Sequence, residues 1–555
     1  MTDQNTHLPA LKKRARKAPL GLSALAVLIA VICLLPMLAV AIAAFSGGTE
    51  TVSHLLSTVL PRYAGNTALL VALVSIGTFC LGVGAAWLVT MTRFPGVRFF
   101  EIALVLPLAF PAYVLAYAYT YILDHPGIVQ STLRDVMGWG PRDYWFPEVR
   151  SLGGAAMMLI LVLYPYVYLL ARASFLQQSG TTFLAARALG SSAWAAFFRV
   201  SLPLARPAIA GGVLLAVMET IADFGTVAYF GVQTFATGIY TSWFSLADRG
   251  GAAQLALCLL SFALLLAMLE RIQRGRAKYY DPSRQSQDKV QLQLKGTQAA
   301  LAIGLCLIPV LFGCVLPIVV LFSMGLGSEQ DLLSARYLGF IQNSLILAGI
   351  AAVVTVSAAV AVGFFQRLRP GPFSNGAAYI ARLGYAVPGG VVAVGLLVPF
   401  AAFDNALDAW MRSTFDISTG LLITGSIWLL ILAYMVRFLA AALGAYEGGQ
   451  AMVHANMDAA SRSLGQTPFG TLRRVHLPIL TPSLLTALLI VFVDVMKELP
   501  ATLIMRPFNY DTLAVQAYRL ASDERLEGAA VPSLVIVALG LLPVILICRQ
   551  VGRRA

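Results

Sequence analysis

The chain has 555 residues, of which 59% are hydrophobic and 12% charged, and its formal net charge is +13. Soluble domains carry about 25% charged residues, so this composition excludes an ordinary globular enzyme and implies a polytopic membrane protein. The positive balance is read as topology bias rather than as a nucleic-acid surface, because the basic residues lie in loops between apolar runs. The six cysteines show no paired spacing, so neither a disulfide framework nor a zinc site is expected.

In chain order, residues 1–20 form a basic N-terminus with Lys12, Lys13, Arg14, Arg16 and Lys17. The apolar run that follows is too long for a signal-peptide core, which predicts a first transmembrane helix with a cytoplasmic N-terminus. Apolar windows predict twelve helices, at 21–46, 66–91, 101–123, 152–175, 207–231, 251–270, 297–325, 342–366, 378–403, 418–443, 481–505 and 529–548. Runs this long are expected to be helical, since lipid leaves no partner for free backbone groups. With the N-terminus inside, most Lys and Arg fall in the cytoplasmic loops, and Lys497 is read as lying inside a span. Residues 21–270 and 297–548 are two six-span halves. A basic linker, 271–296, joins them on the cytoplasmic side, with some contact to anionic lipid, and a basic tail, 549–555, is also cytoplasmic.

The halves repeat. Asn66 and Thr67 match Asn343 and Ser344, Pro111 matches Pro388, and Gly251, Ala252 and Ala253 match Gly528, Ala529 and Ala530. An even number of spans per half makes the repeats parallel, related by a pseudo-two-fold axis along the membrane normal. The fold class expected is therefore an all-α integral membrane protein of two parallel six-helix repeats.

Two polar islands interrupt the apolar pattern, one around 181–212 and one around 457–488. Gly190 precedes Pro203 by 13 residues and Gly465 precedes Pro478 by 13. The first island is expected to hold a short helix around Ala185 and Ala186 and a glycine-dependent turn at Gly190. A second short helix over 192–200, capped by Ser191 or Ser192, is expected to end at Leu202 and Pro203. The second island matches with Asp458, Ala459, Ala460, Gly465, Leu477 and Pro478. Two such knobs on the cytoplasmic side suit a partner's grooves.

These islands resemble the Glu-Ala-Ala loops of binding-protein-dependent ABC transporter permeases, although Leu184 and Ala459 stand where that family has Glu, with Asp458 displaced by one. Segments 218–240 and 493–515 narrow the resemblance to fused ferric-iron importer permeases of type I architecture. The resemblance implies a bacterial inner-membrane translocation subunit with both termini cytoplasmic. It implies two copies of an ATPase docking at the islands and supplying ATP and Mg2+ chemistry, a periplasmic iron-binding protein, and Fe3+ as cargo. It also implies that helices 1 and 7 lie outside the repeat cores. Thiamine, polyamine or phosphonate cargo is the alternative within the same machinery, and an ion-coupled secondary transporter is the alternative class. No Gly-x-x-x-x-Gly-Lys phosphate loop occurs in the chain, so this chain is not expected to be an enzyme or to bind a cofactor.

Beyond each island lie buried acids. Glu219 and Asp223 are spaced i,i+4, which places them on one face of the helix expected at 207–231. Asp494 and Glu498 repeat that spacing 275 residues later. Counted from Pro207, Glu219 lies about 18 Å and Asp223 about 24 Å into the membrane. Ionisable groups at such depth face a cavity or a partner, and four carboxylates offer hard oxygen donors for a hard cation. Structural pairing, with Lys497 or a basic residue on helix 4 or 10, is the competing reading. Tyr113, Tyr117 and Tyr119 could add phenolate oxygen or serve as interface anchors. His476, whose counterpart is Ser201, is expected to make a packing or polar contact. The outer loop 124–150 offers a surface for a substrate-binding protein or a simple cap.

Overall fold

The computed structural model describes residues 19–46, 57–178, 186, 188–274, 292–328, 330–331 and 334–552. The basic N-terminus, most of the linker, the last residues of the tail and Ala185 lie outside the described residues.

Among the described residues, eleven helices are long and apolar enough to cross a membrane. They are α1 (Leu20–Ser46), α2 (Leu60–Met91), α4 (Leu152–Leu176), α5 (Trp194–Ala222), α6 (Arg249–Met268), α7 (Thr297–Leu326), α8 (Ala335–Leu368), α9 (Gly389–Phe415), α10 (Ile427–Gln450), α11 (Pro468–Met496) and α12 (Leu526–Leu546). A twelfth, α3, is a pair of segments, Val97–Ala109 and Ala112–Met137, bent by 92°. Its bend falls at Pro111, which lacks an N–H to continue the ladder. The chain is an all-α membrane protein.

The two halves repeat their packing. In the first, α2, α4 and α5 pack on one another, and in the second α8, α10 and α11 do the same. Small residues permit close approach: a Cβ on Gly82 or on Gly212 would collide with Val167 of α4 at 2.7 Å. The remaining long helices clamp the halves together. Helix α1 lies on α6 of its own half and on α9 of the other, where Gly395 meets the Pro36 carbonyl, and α7 lies on α12 and on the bend of α3. Equivalent polar ties recur. Asn66 donates to the Gln233 carbonyl at 2.8 Å and Asn343 to the Asp511 carbonyl at 3.1 Å, while Thr67 and Ser344 accept from the backbone N–H groups of Phe235 and Leu513.

Three expectations about helix limits are corrected. The helices expected at 207–231 and 481–505 are not continuous: α5 stops at Ala222 and α11 at Met496, and short helices Gly225–Tyr229 and Pro500–Met505 follow each break. The expected helix at 378–403 is broken at Val387 and Pro388, leaving Pro372–Leu383 and α9. Helix α9 then runs on to Phe415, and α10 starts only at Ile427. Buried Asp404 accepts the backbone N–H groups of Ile423 and Thr424, and Asp408 those of Thr419 and Gly420, which fixes the intervening loop.

The end expected at Leu202 and Pro203 is also corrected. The second island helix does not stop there but enters α5 through a wide turn at Phe197–Ser201, in which the Leu202 N–H reaches back five residues to Phe197. Leu472–His476 does the same ahead of Pro478, with Leu477 N–H on the Leu472 carbonyl. Widening the turn lets a proline, which has no N–H and crowds the carbonyl four residues back, sit inside a continuing helix.

Candidate functional site

The breaks in α5 and α11 are made by the acids themselves. Asp223 is extended (φ −67°, ψ 127°). Its carboxylate accepts from the Thr226 N–H at 3.1 Å, the Val227 N–H at 3.2 Å and the Thr226 hydroxyl at 3.0 Å. Glu498, its repeat counterpart, accepts from the Ala501 N–H at 2.9 Å, the Thr502 N–H at 3.0 Å and the Thr502 hydroxyl at 2.7 Å. Each carboxylate thus caps the N-terminus of the short helix beyond its break, where free N–H groups and the helix dipole favour negative charge. Glu219 and Asp223 are therefore not stacked on one continuous helix face, and the same holds for Asp494 and Glu498.

All four acids nevertheless line one cavity of about 80 Å³, between the halves and beside both breaks. This is room for several waters. Arg437 and Lys497 share its wall, so four carboxylates face two cations. Arg437, on α10, is buried and donates to Glu498 at 3.0 Å, while its other terminal nitrogen lies 3.9 Å from Glu219 of the opposite half. Glu219 also accepts from the Tyr385 hydroxyl at 3.2 Å, and Asp494 pairs with Lys497 at 3.0 Å. Gly389 makes room for this arrangement: a Cβ there would stand 2.2 Å from the Arg437 guanidinium and 2.7 Å from the Glu498 carboxylate. The first-half wall, in contrast, is apolar at Leu159, Val162 and Leu163.

Among the described residues, no three His, Cys, Asp or Glu side chains stand close enough to hold one metal ion. The acids are spread along a polar path and engaged with backbone N–H groups and cations. Tyr113 lines the cavity, and its hydroxyl has no hydrogen-bond partner among the described residues. Tyr113, Tyr117 and Tyr119 are all buried, which removes the interface-anchor reading, and Tyr119 donates to the Phe312 carbonyl at 2.7 Å. Arg437 is the residue that the sequence reading left unnamed. A guanidinium in the apolar run of α10 was the available signal.

The islands lie at one end of the bundle. Ala186 and Gly190 belong to a turn in which the Ser191 N–H reaches the Ala186 carbonyl, and Gly465 to one in which Gln466 N–H reaches the Ser461 carbonyl. Both glycines have positive φ, 86° and 76°, which a residue with a Cβ adopts only under strain. Ser192 caps the first following helix through the Ala195 N–H, and Thr467 caps the second through the Gly470 N–H. Apolar side chains project at equivalent places: Leu189 and Trp194 on one island, Leu464 and Phe469 on the other, each more than half exposed. Ala459 and Ala460 are exposed, whereas Leu202, Pro203 and Leu477 are half-buried and Pro478 is exposed.

Asp458 has a structural partner set. It pairs with Arg367, at the end of α8, at 2.8 Å and with His476 at 2.7 Å. His476 is fully buried, edge-on to Phe364. Burial raises the Asp458 carboxyl pKa, but the hydrogen bonds from His476 and Arg367 outweigh it and hold the group below its ordinary value. At the opposite end, Arg150 of the 124–150 loop is bidentate to Glu524 of the other half at 2.7 and 2.9 Å.

Comparison with known proteins gives this geometry a family. Residues 78–279 match the family described as binding-protein-dependent transport system inner membrane component. The Fe(3+)-transport system permease protein FbpB 2 of Haemophilus influenzae is 26% identical over 540 residues, 96% of this chain and 98% of that one. A second protein of that organism, described as a putative ferric transport system permease, is 24% identical over 85% of this chain and 75% of its own length. The molybdenum transport system permease protein ModB of Escherichia coli is 30% identical over 211 residues, 35% of this chain and 87% of that one. The chain belongs to the family of binding-protein-dependent transport system inner membrane components.

Proposed function

We propose that the chain is the fused, two-repeat translocation subunit of an ATP-driven importer in the bacterial inner membrane, with residues 21–270 and 297–548 as its halves and both termini cytoplasmic. Its cargo is ferric iron delivered by a periplasmic binding protein. The observation that carries the cargo reading is the cavity in which Glu219, Asp223, Asp494 and Glu498 meet between the halves. Four carboxylates against Arg437 and Lys497 leave that cavity negative, which favours a hard cation over an oxyanion. Two relatives that match 96% and 85% of this chain are ferric permeases by description, whereas the molybdenum relative, though matched over 87% of its own length, covers 35% of this chain.

The acids act by relay, since among the described residues no three of them converge on one ion. A cation entering the cavity competes with Arg437 for Glu498 and Glu219, and with backbone N–H groups for Asp223. Weak, distributed ligation of this kind allows release as well as capture. ATP chemistry comes from two copies of a partner ATPase, docked at the islands through the turns at Gly190 and Gly465 and the apolar side chains beside them. Their closure rocks the halves and exchanges the exposed side of the cavity.

Iron uptake by cells carrying Asp223→Asn or Glu498→Gln tests the cargo reading. Uptake per molecule of permease in the membrane should fall at least tenfold, and wild-type uptake per molecule in both would overturn it. Gly190→Asp combined with Gly465→Asp should abolish copurification of the ATPase while leaving membrane insertion intact. Retained copurification would overturn the docking role.

A further inference from the structure

A second cavity, of about 290 Å³, opens between the start of α8 and the Leu513–Ser522 helix. Arg336 begins α8, and Arg367, near its other end, contacts the second island, so this cavity is at the far end of the bundle from the islands. Three guanidinium groups, of Arg336, Arg519 and Arg525, line it against one carboxylate, Asp523. Arg519 is partly engaged by Asp511 at 3.3 Å and Arg336 lies over the Phe340 ring, while Arg525 and Arg336 have no ion pair among the described residues. The buried Tyr337 hydroxyl also lines the cavity and has no hydrogen-bond partner among the described residues, while the Gln516 side-chain oxygen beside it is an acceptor and takes no part in holding an anion.

A buried hydroxyl without a partner costs free energy unless something fills the space before it. An excess of exposed guanidinium at the rim of the same cavity identifies the missing partner as an anion with several oxygens, because planar forks of N–H donors match carboxylate and phosphate. The repeat does not require this feature. The first-half counterpart of Arg525 is Asp248, whose carboxylate is spent on the Gly251 N–H at 2.9 Å. Arg525 is thus an addition to one half rather than a by-product of the fold.

We propose that this cavity is a binding site for a small free oxyanion, a phosphate or a di- or tricarboxylate, on the face opposite the islands. Tyr337 donates a hydrogen bond at its floor, and Arg336, Arg519 and Arg525 hold the charge at its rim. The site does not depend on the identity of the transported cargo, and its test does not use transport.

The full-length chain, purified in a phosphate-free maltoside detergent, is titrated by calorimetry with citrate and, separately, with inorganic phosphate. One saturable site per chain is expected for at least one of them. Arg525→Gln should weaken it about tenfold, the loss of one charge-assisted hydrogen bond, Arg336→Gln with Arg525→Gln should weaken it further, and Tyr337→Phe should weaken it by less. No binding at millimolar anion, or wild-type affinity in the double arginine variant, would overturn the proposal. The titration is repeated in bilayer discs containing anionic phospholipid. Retained binding supports a soluble ligand, and its loss there would assign the site to a lipid headgroup instead. If no free anion binds but the arginine variants weaken docking of the binding protein, the cavity receives an acidic side chain and the proposal falls.

Discussion

Arg437 and its acids show how a single residue sets the character of the cavity. Its guanidinium joins Glu498 of its own half and approaches Glu219 of the other, so under the proposed cargo reading it holds the place of an incoming cation. Removing one partner of a buried ion pair strands the other, at a cost of about 3–5 kcal/mol, whereas replacing both with neutral groups is often close to neutral. Arg437→Met should therefore lower the thermal midpoint of the purified protein sharply, and adding Glu498→Gln should recover most of that loss without restoring uptake. A double variant no more stable than the single one would show that the pair is not coupled. Gly389 gives a second handle, because its missing side chain is what admits the guanidinium. Gly389→Ala should reduce uptake at least tenfold with near-normal expression, and unchanged uptake would mean that the Arg437 position does not matter. The convergence of Glu219, Asp223, Asp494 and Glu498 was legible in the sequence, because internal repetition places equivalent residues at equivalent depth. Arg437 was within reach, since a basic residue on helix 10 was one of the partners considered, but the sequence does not say which carboxylate it meets, 61 residues away.

At the scale of elements, the informative parts are the interruptions. Long apolar runs announce the helices, and the prolines and glycines of the islands announce turns. The breaks after Ala222 and Met496 are a local capping choice, in which a carboxylate takes the N–H groups three and four residues on away from the helix ladder. Inside a long apolar run the hydropathy pattern masks that choice. The wide turns before Pro203 and Pro478 escaped the sequence reading for a related reason: the rule that proline ends a helix omits the option of widening the preceding turn. In the second island, Asp458 fastens its short helix to α8 through Arg367 and to the wide turn through His476. Asp458→Asn should loosen that island and reduce ATPase copurification several-fold, an effect that His476→Ala should reproduce. The pH dependence has a defined sign. The folded-state carboxyl lies below its ordinary value, so its contribution is fully present above the ordinary aspartate range and is lost as pH falls through the folded value. Copurification from wild type should therefore be flat from neutral pH down to the ordinary carboxylate range and weaken below it. Asp458→Asn should show a smaller acid-side loss, and an identical acid-side slope in the variant would exclude Asp458 as its source.

For the molecule as a whole, the question is what holds the halves together at the end away from the islands. Arg150, from the loop between α3 and α4, is bidentate to Glu524, from the turn before α12, and also touches Asp124 at 3.0 Å. Nearby, Phe224 meets Tyr518 across the same seam, with ring centroids 5.7 Å apart. Glu524 is well exposed, so the pair adds little to folding, about 0.2–1 kcal/mol at most. The same energy acts differently on a rocking equilibrium, where 1 kcal/mol changes the population ratio about fivefold. Under the proposed rocking of the halves, a bridge at this end forms only when these ends are together, so it favours the state closed there. Glu524→Gln should leave the thermal midpoint nearly unchanged and raise basal ATP hydrolysis of the reconstituted permease–ATPase complex about two- to fivefold. High salt should raise hydrolysis by wild type towards the variant's level, because exposed pairs are screened. The hydrogen bonds from Arg150 hold the Glu524 carboxyl below its ordinary value, so the bridge is intact above the ordinary glutamate range and is lost as pH falls through the folded value. Wild type and variant should accordingly keep a constant ratio of hydrolysis rates between pH 6 and 8. Equal basal hydrolysis in the two proteins at low salt would mean that the bridge forms in both states and biases neither.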